Sequence, residues 1–373
     1  MLTSSQKKEL YDIVVNYWIN DDPDLKAMAI SWNNEASEEA RKVHSQCEIV
    51  DGCTFYLENY NWQLEQSKAA CLNMTIPAVS DPSAGGAIME TAEMLSVINS
   101  DPEHFINILT VDDIHEAHRS GRIGILLGAQ SCDFIQARDI NAMVEVFARI
   151  GLRVMQIGYH TRSFAADGCA TGTDAGITEQ GRTLIRAMEK NGITVDLAHV
   201  GRLSTLEAMD MAEKPMIFSH ANPRAMFDHF RNITDEQIKK CASIGGVIGA
   251  CAFTPILYDG VHLPSIDRFV DAICYYADLV GVDHVGIGLD SNGQPGAYVH
   301  RDAYNIALGS SPAYEANYLA GKGKASANTD GILGMANHLN IVDKLLKRGF
   351  SAEEVYKIMG GNFIRVFEQT WKA

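Results

Sequence analysis

Two histidines stand at equivalent places in the chain. His199 ends the apolar run Ile193-Thr194-Val195-Asp196-Leu197-Ala198, and His220 ends Pro215-Met216-Ile217-Phe218-Ser219. Between them, residues 202–214 carry Leu206, Met209 and Met211 at roughly helical spacing. The pattern predicts a strand–helix–strand unit. A right-handed crossover puts the ends of its two parallel strands on one edge of the sheet, with the imidazoles a few ångströms apart. A lone histidine there is more often a satisfied core or cap residue, but a repeated placement favours a site. Converging neutral imidazoles suit a zinc-like ion, and a catalytic zinc keeps about three protein ligands and an open position for water.

The elements that must position such a pair are legible as eight apolar runs: residues 48–55, 72–79, 123–130, 152–159, 193–199, 215–220, 246–253 and 284–290. Helical patterns over 88–99, 111–120, 140–150, 178–191, 235–243 and 265–280 separate most of them. Near-continuous apolar strands alternating with helices predict an α/β fold, a (β/α)8 TIM-like barrel with its site at the carboxyl ends of the strands. Those ends carry Cys53, Phe55, Gln130, Tyr159, His160, His199, His220 and Asp290. An open doubly wound sheet, the competing architecture, has no need to gather them in one ring.

Residues 1–46 read as an N-terminal helical extension: Leu10, Ile13, Val14 and Trp18 make one apolar face, and a second helix of about twenty residues follows Asp22-Pro23. Residues 47–373 then form a single barrel domain closed by helices over 332–347, 352–359 and 362–371. The polar loop from Tyr159 to Gly176 is long enough to be functional. The excursion 291–330 and the Tyr275-Tyr276 pair are candidates for a pocket wall or a dimer interface.

Around the histidine pair, Cys53 offers a soft thiolate and Gln130 a weak oxygen ligand, although a cysteine at a strand end is equally often just buried. Asp290 is placed to act as general base and then acid; its plainer role is a cap or ion-pair carboxylate. Arg231, with Asn232 beside it, can hold a substrate carboxylate bidentately or serve as a helix-flanking charge.

Composition narrows the partners. Lys+Arg 31 against Asp+Glu 47 gives a formal charge of −16 over 373 residues, which disfavours nucleic acid and anionic membranes and leaves a small-molecule substrate. Eight cysteines without CxxC spacing read as buried thiols in a reducing compartment. No basic stretch followed by an apolar core opens the chain, and no apolar run reaches about 18 residues, so a cytoplasmic, dimeric barrel enzyme is the expectation.

Several segments carry a family resemblance. Val195-Asp196-Leu197-Ala198-His199-Val200, Ile217-Phe218-Ser219-His220-Ala221-Asn222, Arg231-Asn232 before Asp235, Gly245-Gly246-Val247, residues 284–290 and residues 360–366 together resemble the membrane (renal) dipeptidases and their bacterial relatives, over residues 48–367. The resemblance implies hydrolysis of dipeptides and related amides with two zinc ions bridged by a glutamate. It implies His199 and His220 as ligands of one zinc, Arg231 as carboxylate binder and Asp290 as acid/base. The chain departs from that pattern at five places. Cys53 and Phe55 replace a His-x-Asp metal pair, Gln130 replaces the bridging glutamate, Tyr159 followed by His160 falls where a substrate-polarising histidine is expected, and Asn292 replaces an aspartate. The expectation is therefore a dipeptidase-like hydrolase with a reduced site, a single zinc held by His199 and His220 with help from Gln130 or Cys53. The alternative is a metal-free lyase, isomerase or tautomerase using Tyr159, His160 and Asp290; a non-enzymatic ligand-binding scaffold is the third.

Overall fold

The computed structural model describes residues 23–54, 71–76, 83–259, 261–262, 264–290 and 329–371. Nine strands, all paired in parallel, run through them: β1 (Val50–Thr54), β2 (Cys71–Ile76), β3 (Phe105–Ile108), β4 (Ile123–Ala129), β5 (Leu152–Gln156), β6 (Thr194–Asp196), β7 (Ile217–Ala221), β8 (Val247–Ala250) and β9 (Val285–Ile287). Their order is β2-β1-β9-β8-β7-β6-β5-β4, and β2 pairs again with β4, which closes eight strands into a barrel. Each of the eight apolar runs supplies one strand of this ring. β3 is additional and pairs with β4 alone; Phe-Ile-Asn-Ile is too short to show a period.

Backbone rather than side chain fills the middle of the barrel. A Cβ built on Gly52, Gly249 or Gly288 would come within 2.3, 2.1 and 1.9 Å of the same atom, the Ser219 carbonyl oxygen of β7. Only glycine lets β1, β8 and the end of β9 approach it. Beneath that level Val50, Leu126, Val154, Ile217 and Val247 pack with Phe363 and Phe367, from the helix Asn362–Thr370. The Phe363 ring lies 2.5 Å from where a Cβ on Gly286 would stand, so this helix plugs the floor.

Two strands are bulged where the site will form. Between Asp51 and Thr54, β1 spends one more residue than β2, and between Phe218 and Ala221, β7 spends one more than β8. The extra residues fall at Gly52-Cys53 and Ser219-His220. A bulge re-aims a side chain and bends its strand. Among the described residues, three non-glycine residues have left-handed backbone, His160 (φ 53°), His199 (φ 66°) and Asp290 (φ 52°), and all three are at strand ends named from the sequence.

The helices follow the expected pattern with local differences. The expected helix of about twenty residues after Pro23 is two, Pro23–Asn34 and Glu38–Gln46. Ser37 starts the second by accepting the Ala40 N–H at 3.2 Å, and gives its own N–H to Asp343 at 3.0 Å. The helix after His199 stops at Asp210 rather than at 214. A π-turn at Lys357–Gly361 joins the two last helices because Gly360 is pressed against the Glu48 carbonyl at the start of β1. Tyr276 is wholly buried with its hydroxyl on the Ala221 carbonyl at 3.0 Å, and Tyr275 bonds Asp235 at 2.8 Å. Tyr276 is therefore internal scaffolding, while Tyr275 is half-buried at the helix surface. The expected helix around residues 10–18, Phe55, Asn292 and the excursion up to residue 328 lie outside the described residues.

Candidate metal centre and its surroundings

β6 and β7 bring the two imidazoles together. His199 Nε2 and His220 Nε2 are 2.8 Å apart, and the two residues are 5% and 0% exposed. Behind them, Ser219 Oγ lies 2.7 Å from His220 Nδ1 and 2.6 Å from Asp196 Oδ2. The hydroxyl has one proton and the carboxylate only accepts, so Ser219 donates to Asp196 and His220 Nδ1–H donates to Ser219. That fixes the His220 tautomer with the Nε2 lone pair facing His199. Asp196 is held in turn by N–H donors from Ala198 (3.0 Å), Ser219 (2.9 Å) and the Gln156 amide (3.0 Å). Burial pushes both imidazoles well below their ordinary pKa, and the Arg231 guanidinium adds to it. Both rings are neutral, as ligands must be.

β1 and the end of β9 supply the opposite wall. Cys53 Sγ is 3.8 Å from Asp290 Oδ1 and 3.3 Å from the Gln130 Nε2 donor; Cys251 Sγ is 3.8 Å from Asp290 Oδ2, which is 4.0 Å from His220 Nε2. Asp51 stitches this wall with the same device as Asp196. Its Oδ1 accepts the N–H of Cys53 (3.2 Å) and of Leu289 on the neighbouring strand end (3.0 Å), while Oδ2 faces His338 Nε2 at 3.5 Å. Asn222 does likewise for β7 and β8, exchanging two hydrogen bonds with the Cys251 backbone. Burial lifts Asp290 to about 6, against the pull of Arg231 and of the Cys251 and Cys53 thiols. Burial and Asp290 together push the Cys53 thiol well up.

The remaining candidates surround the pair. Tyr159 stacks on His199 with ring centroids 4.3 Å apart, and His160 meets His199 edge-on at 4.5 Å. Burial, then Arg231, drives His160 down to about 3; burial, then Asp290, raises Tyr159. Arg231 is buried at 3% exposure and gives a guanidinium N–H to the His220 carbonyl at 2.8 Å. A cavity of about 140 Å³ lies beside it, lined among others by His199, Arg231, Arg224, Arg202, Asp174 and Cys169. Asn232 lines the same cavity, and its amide nitrogen ties the loop by donating to the Phe227 and Ile256 carbonyls at 3.0 and 2.8 Å. Asp51, Asp196, Ser219, Cys251 and His338 were not picked out from the sequence. For Asp51, Asp196 and Ser219 the signal was a charged or polar residue inside an apolar strand, which burial obliges to find partners; Cys251 follows β8 and His338 opens a helix, and neither carries that signal.

The donor chemistry suits a divalent cation. Ligand atoms of Cys53, His220 and Asp290 lie within 4.8 Å of one another, with the His199 nitrogen beside them. Imidazole, thiol and carboxylate are ligands of borderline metals such as zinc. All eight cysteines, which lie among the described residues, are unpaired thiols.

Fold and site define a closed parallel α/β barrel with metal-capable side chains gathered at the carboxyl ends of its strands. A model of the membrane dipeptidase family (Peptidase family M19) matches residues 83–302, more than half of the chain. The chain belongs to that family. Dipeptidase tcpJ of Claviceps purpurea (strain 20.1) is 27% identical over 261 residues, 69% of this chain and 53% of that protein. Dipeptidase verJ of Clonostachys rogersoniana is 23% identical over 288 residues, 76% of this chain and 65% of that protein. The chain thus spans between half and two thirds of the length of these curated relatives. Among solved structures, an amidohydrolase from Pseudomonas aeruginosa superposes with a TM-score of 0.78 at 28% identity, covering 90% of this chain and 99% of that one. A metallo peptidase from Rhodobacter sphaeroides, liganded with a phosphinate mimic of the dipeptide L-Ala-D-Ala, shares the fold at a TM-score of 0.70 and 17% identity, covering 87% of this chain and 99% of that one.

Proposed function

We propose that the protein is a metal-dependent hydrolase of small amides bearing a carboxylate, dipeptides and N-acyl amino acids being the leading classes, and that it works with a single zinc-like ion. The observation that carries this reading is the Nε2–Nε2 approach of 2.8 Å between two neutral histidines, one with its tautomer set from behind by Ser219 and Asp196. His199 and His220 would hold the ion, with Cys53 and Gln130 as the further candidates. Bound there, it would polarise the substrate carbonyl and make water nucleophilic near neutral pH. Asp290, at about 6, is the group poised to take and return a proton. Arg231, with Arg202 and Arg224 at the cavity beside it, supplies the positive field for a carboxylate. The family membership and the dipeptidases among the relatives support the same substrate class. The departures at Gln130 and Cys53 favour one ion over two, since no carboxylate stands at Gln130 to bridge a pair.

The metal-free alternative is less well served. It would use Tyr159 and His160 as proton-transfer groups, yet burial moves both away from neutrality in the unhelpful direction, the phenol up and the imidazole to about 3. Eight free thiols support a reducing, cytoplasmic setting. Among the described residues no helix is long and apolar enough to cross a membrane.

Elemental analysis tests this directly. Protein purified without chelator should contain one zinc-like ion per chain, and the His199→Ala/His220→Ala variant should contain none; a metal-free wild type would sink the mechanism. The hydrogen-bond chain behind His220 makes a second expectation. Ser219→Ala should weaken metal binding about 10–100-fold, the usual cost of losing an outer-sphere partner. Competition against a chromophoric chelator reads it, and unchanged affinity would mean that the hydroxyl does not orient the ligand.

A further inference from the structure

We infer that Cys53 is a thiolate ligand of the ion together with His220 and Asp290, and that Gln130 serves the sulfur rather than the metal. The inference deepens the single-ion reading above and rests on it.

Cys53, His220 and Asp290 form the one group of three or more histidine, cysteine and acidic donors that close in this way among the described residues. Each is delivered by a local departure from regular backbone. Cys53 and His220 sit in the extra residues of the β1 and β7 bulges, and Asp290 has φ 52°. Without the β1 bulge the side-chain alternation would turn Cys53 to the other side of the strand. Asp51 then pins it, taking the Cys53 and Leu289 amides on one oxygen, while the Asp290 N–H bonds the Cys53 carbonyl at 3.1 Å. The two ligand-bearing strand ends are thus locked to each other.

The surroundings of the sulfur are not those of a thiol that merely fills space. Cys53 is fully buried, yet its sulfur meets the Gln130 amide nitrogen at 3.3 Å and the Asp290 carboxylate at 3.8 Å. An amide N–H directed at sulfur stabilises negative charge there, as outer-sphere donors do at metal–thiolate centres. With its nitrogen on the sulfur, the Gln130 side chain offers Cys53 a hydrogen-bond donor. Cys251 also reaches Asp290, through Oδ2 at 3.8 Å, but stands outside the three-way cluster with His220. A centre of imidazole, carboxylate and thiolate selects zinc or cobalt over magnesium, calcium or manganese.

Cobalt(II) is the probe. The full chain, stripped with chelator and reloaded with cobalt, should bind one ion and show near-ultraviolet thiolate-to-cobalt charge-transfer absorption. Cys53→Ser should lose that band and bind cobalt at least about tenfold more weakly, within the range expected for a lost ligand contact; Cys251→Ser should keep the band. If Cys53→Ser does not fold, Gln130→Leu carries the test: one cobalt still binds, and the band moves to longer wavelength because the sulfur has lost its donor. Stoichiometric cobalt with no such band, or a band that survives Cys53→Ser, overturns ligation by Cys53; a band unmoved in Gln130→Leu overturns the role given to Gln130; each leaves the single-ion hydrolase standing. A wild type that binds no cobalt overturns both.

Discussion

Asp290→Asn lowers kcat by about 10²–10⁴-fold on any dipeptide or N-acyl amino acid that the wild type cleaves, the range over which a positioned proton-transfer group acts. The substitution is chosen for what it leaves alone. Asparagine has the shape of aspartate, and like aspartate it tolerates the left-handed backbone that residue 290 adopts at φ 52°. It removes the one carboxyl group near the histidine pair whose burial brings it to about 6, close to a working pH. It also removes an oxygen within reach of the cation, so the assay is run at saturating metal with bound metal measured alongside. A fall in kcat at full occupancy identifies proton transfer. A fall that tracks occupancy identifies ligation alone. Unchanged kcat would remove Asp290 from the chemistry and defeat both the hydrolytic and the metal-free proposals.

The second large effect falls on stability. Gly288→Ala should not yield a folded protein, or should lose more than the about 1–3 kcal/mol that ordinary overpacking costs. The added Cβ would stand 1.9 Å from the Ser219 carbonyl oxygen and 3.1 Å from the His220 Cβ. The obstacle is backbone in the middle of a closed ring, where it cannot swing aside as a flexible side chain could. Moving it also moves His220. Gly172→Ala is the matched control, since nothing lies within 4 Å of a Cβ there. Thermal melts of the pair decide the matter: equal midpoints would mean that the interior has slack.

The barrel was legible because its strands are buried on both faces and therefore read as unbroken apolar runs, a signal that depends on no partner. The histidine pair was legible for a related reason, since parallel topology alone brings two successive strand ends together. What stayed hidden depends on register and on contacts distant in sequence. Nothing local in Asp51-Gly52-Cys53 announces that β1 gains a residue against β2, and so nothing local settles where Cys53 points. Asp51 reaches His338 and Leu289 across most of the chain. Gln130 read as a weak oxygen ligand; its neighbour, a sulfur brought in by another strand, lies 3.3 Å from its amide nitrogen. The expected second N-terminal helix was divided by Ser37, whose pairing with Asp343 is equally remote.

The left-handed backbone at His160, His199 and Asp290 sets the molecule's two interests against each other. Side chains with a Cβ occupy that region at a penalty of the order of 1 kcal/mol, which glycine escapes. All three conformations are imposed by the closed ring and the strand ends around them, so the barrel holds these residues against their local preference. Selection for robustness alone would carry positions 160, 199 and 290 towards glycine, and the chain would become a firmer barrel with nothing left at its mouth. Their retention in this sequence is what a requirement other than folding looks like in the backbone.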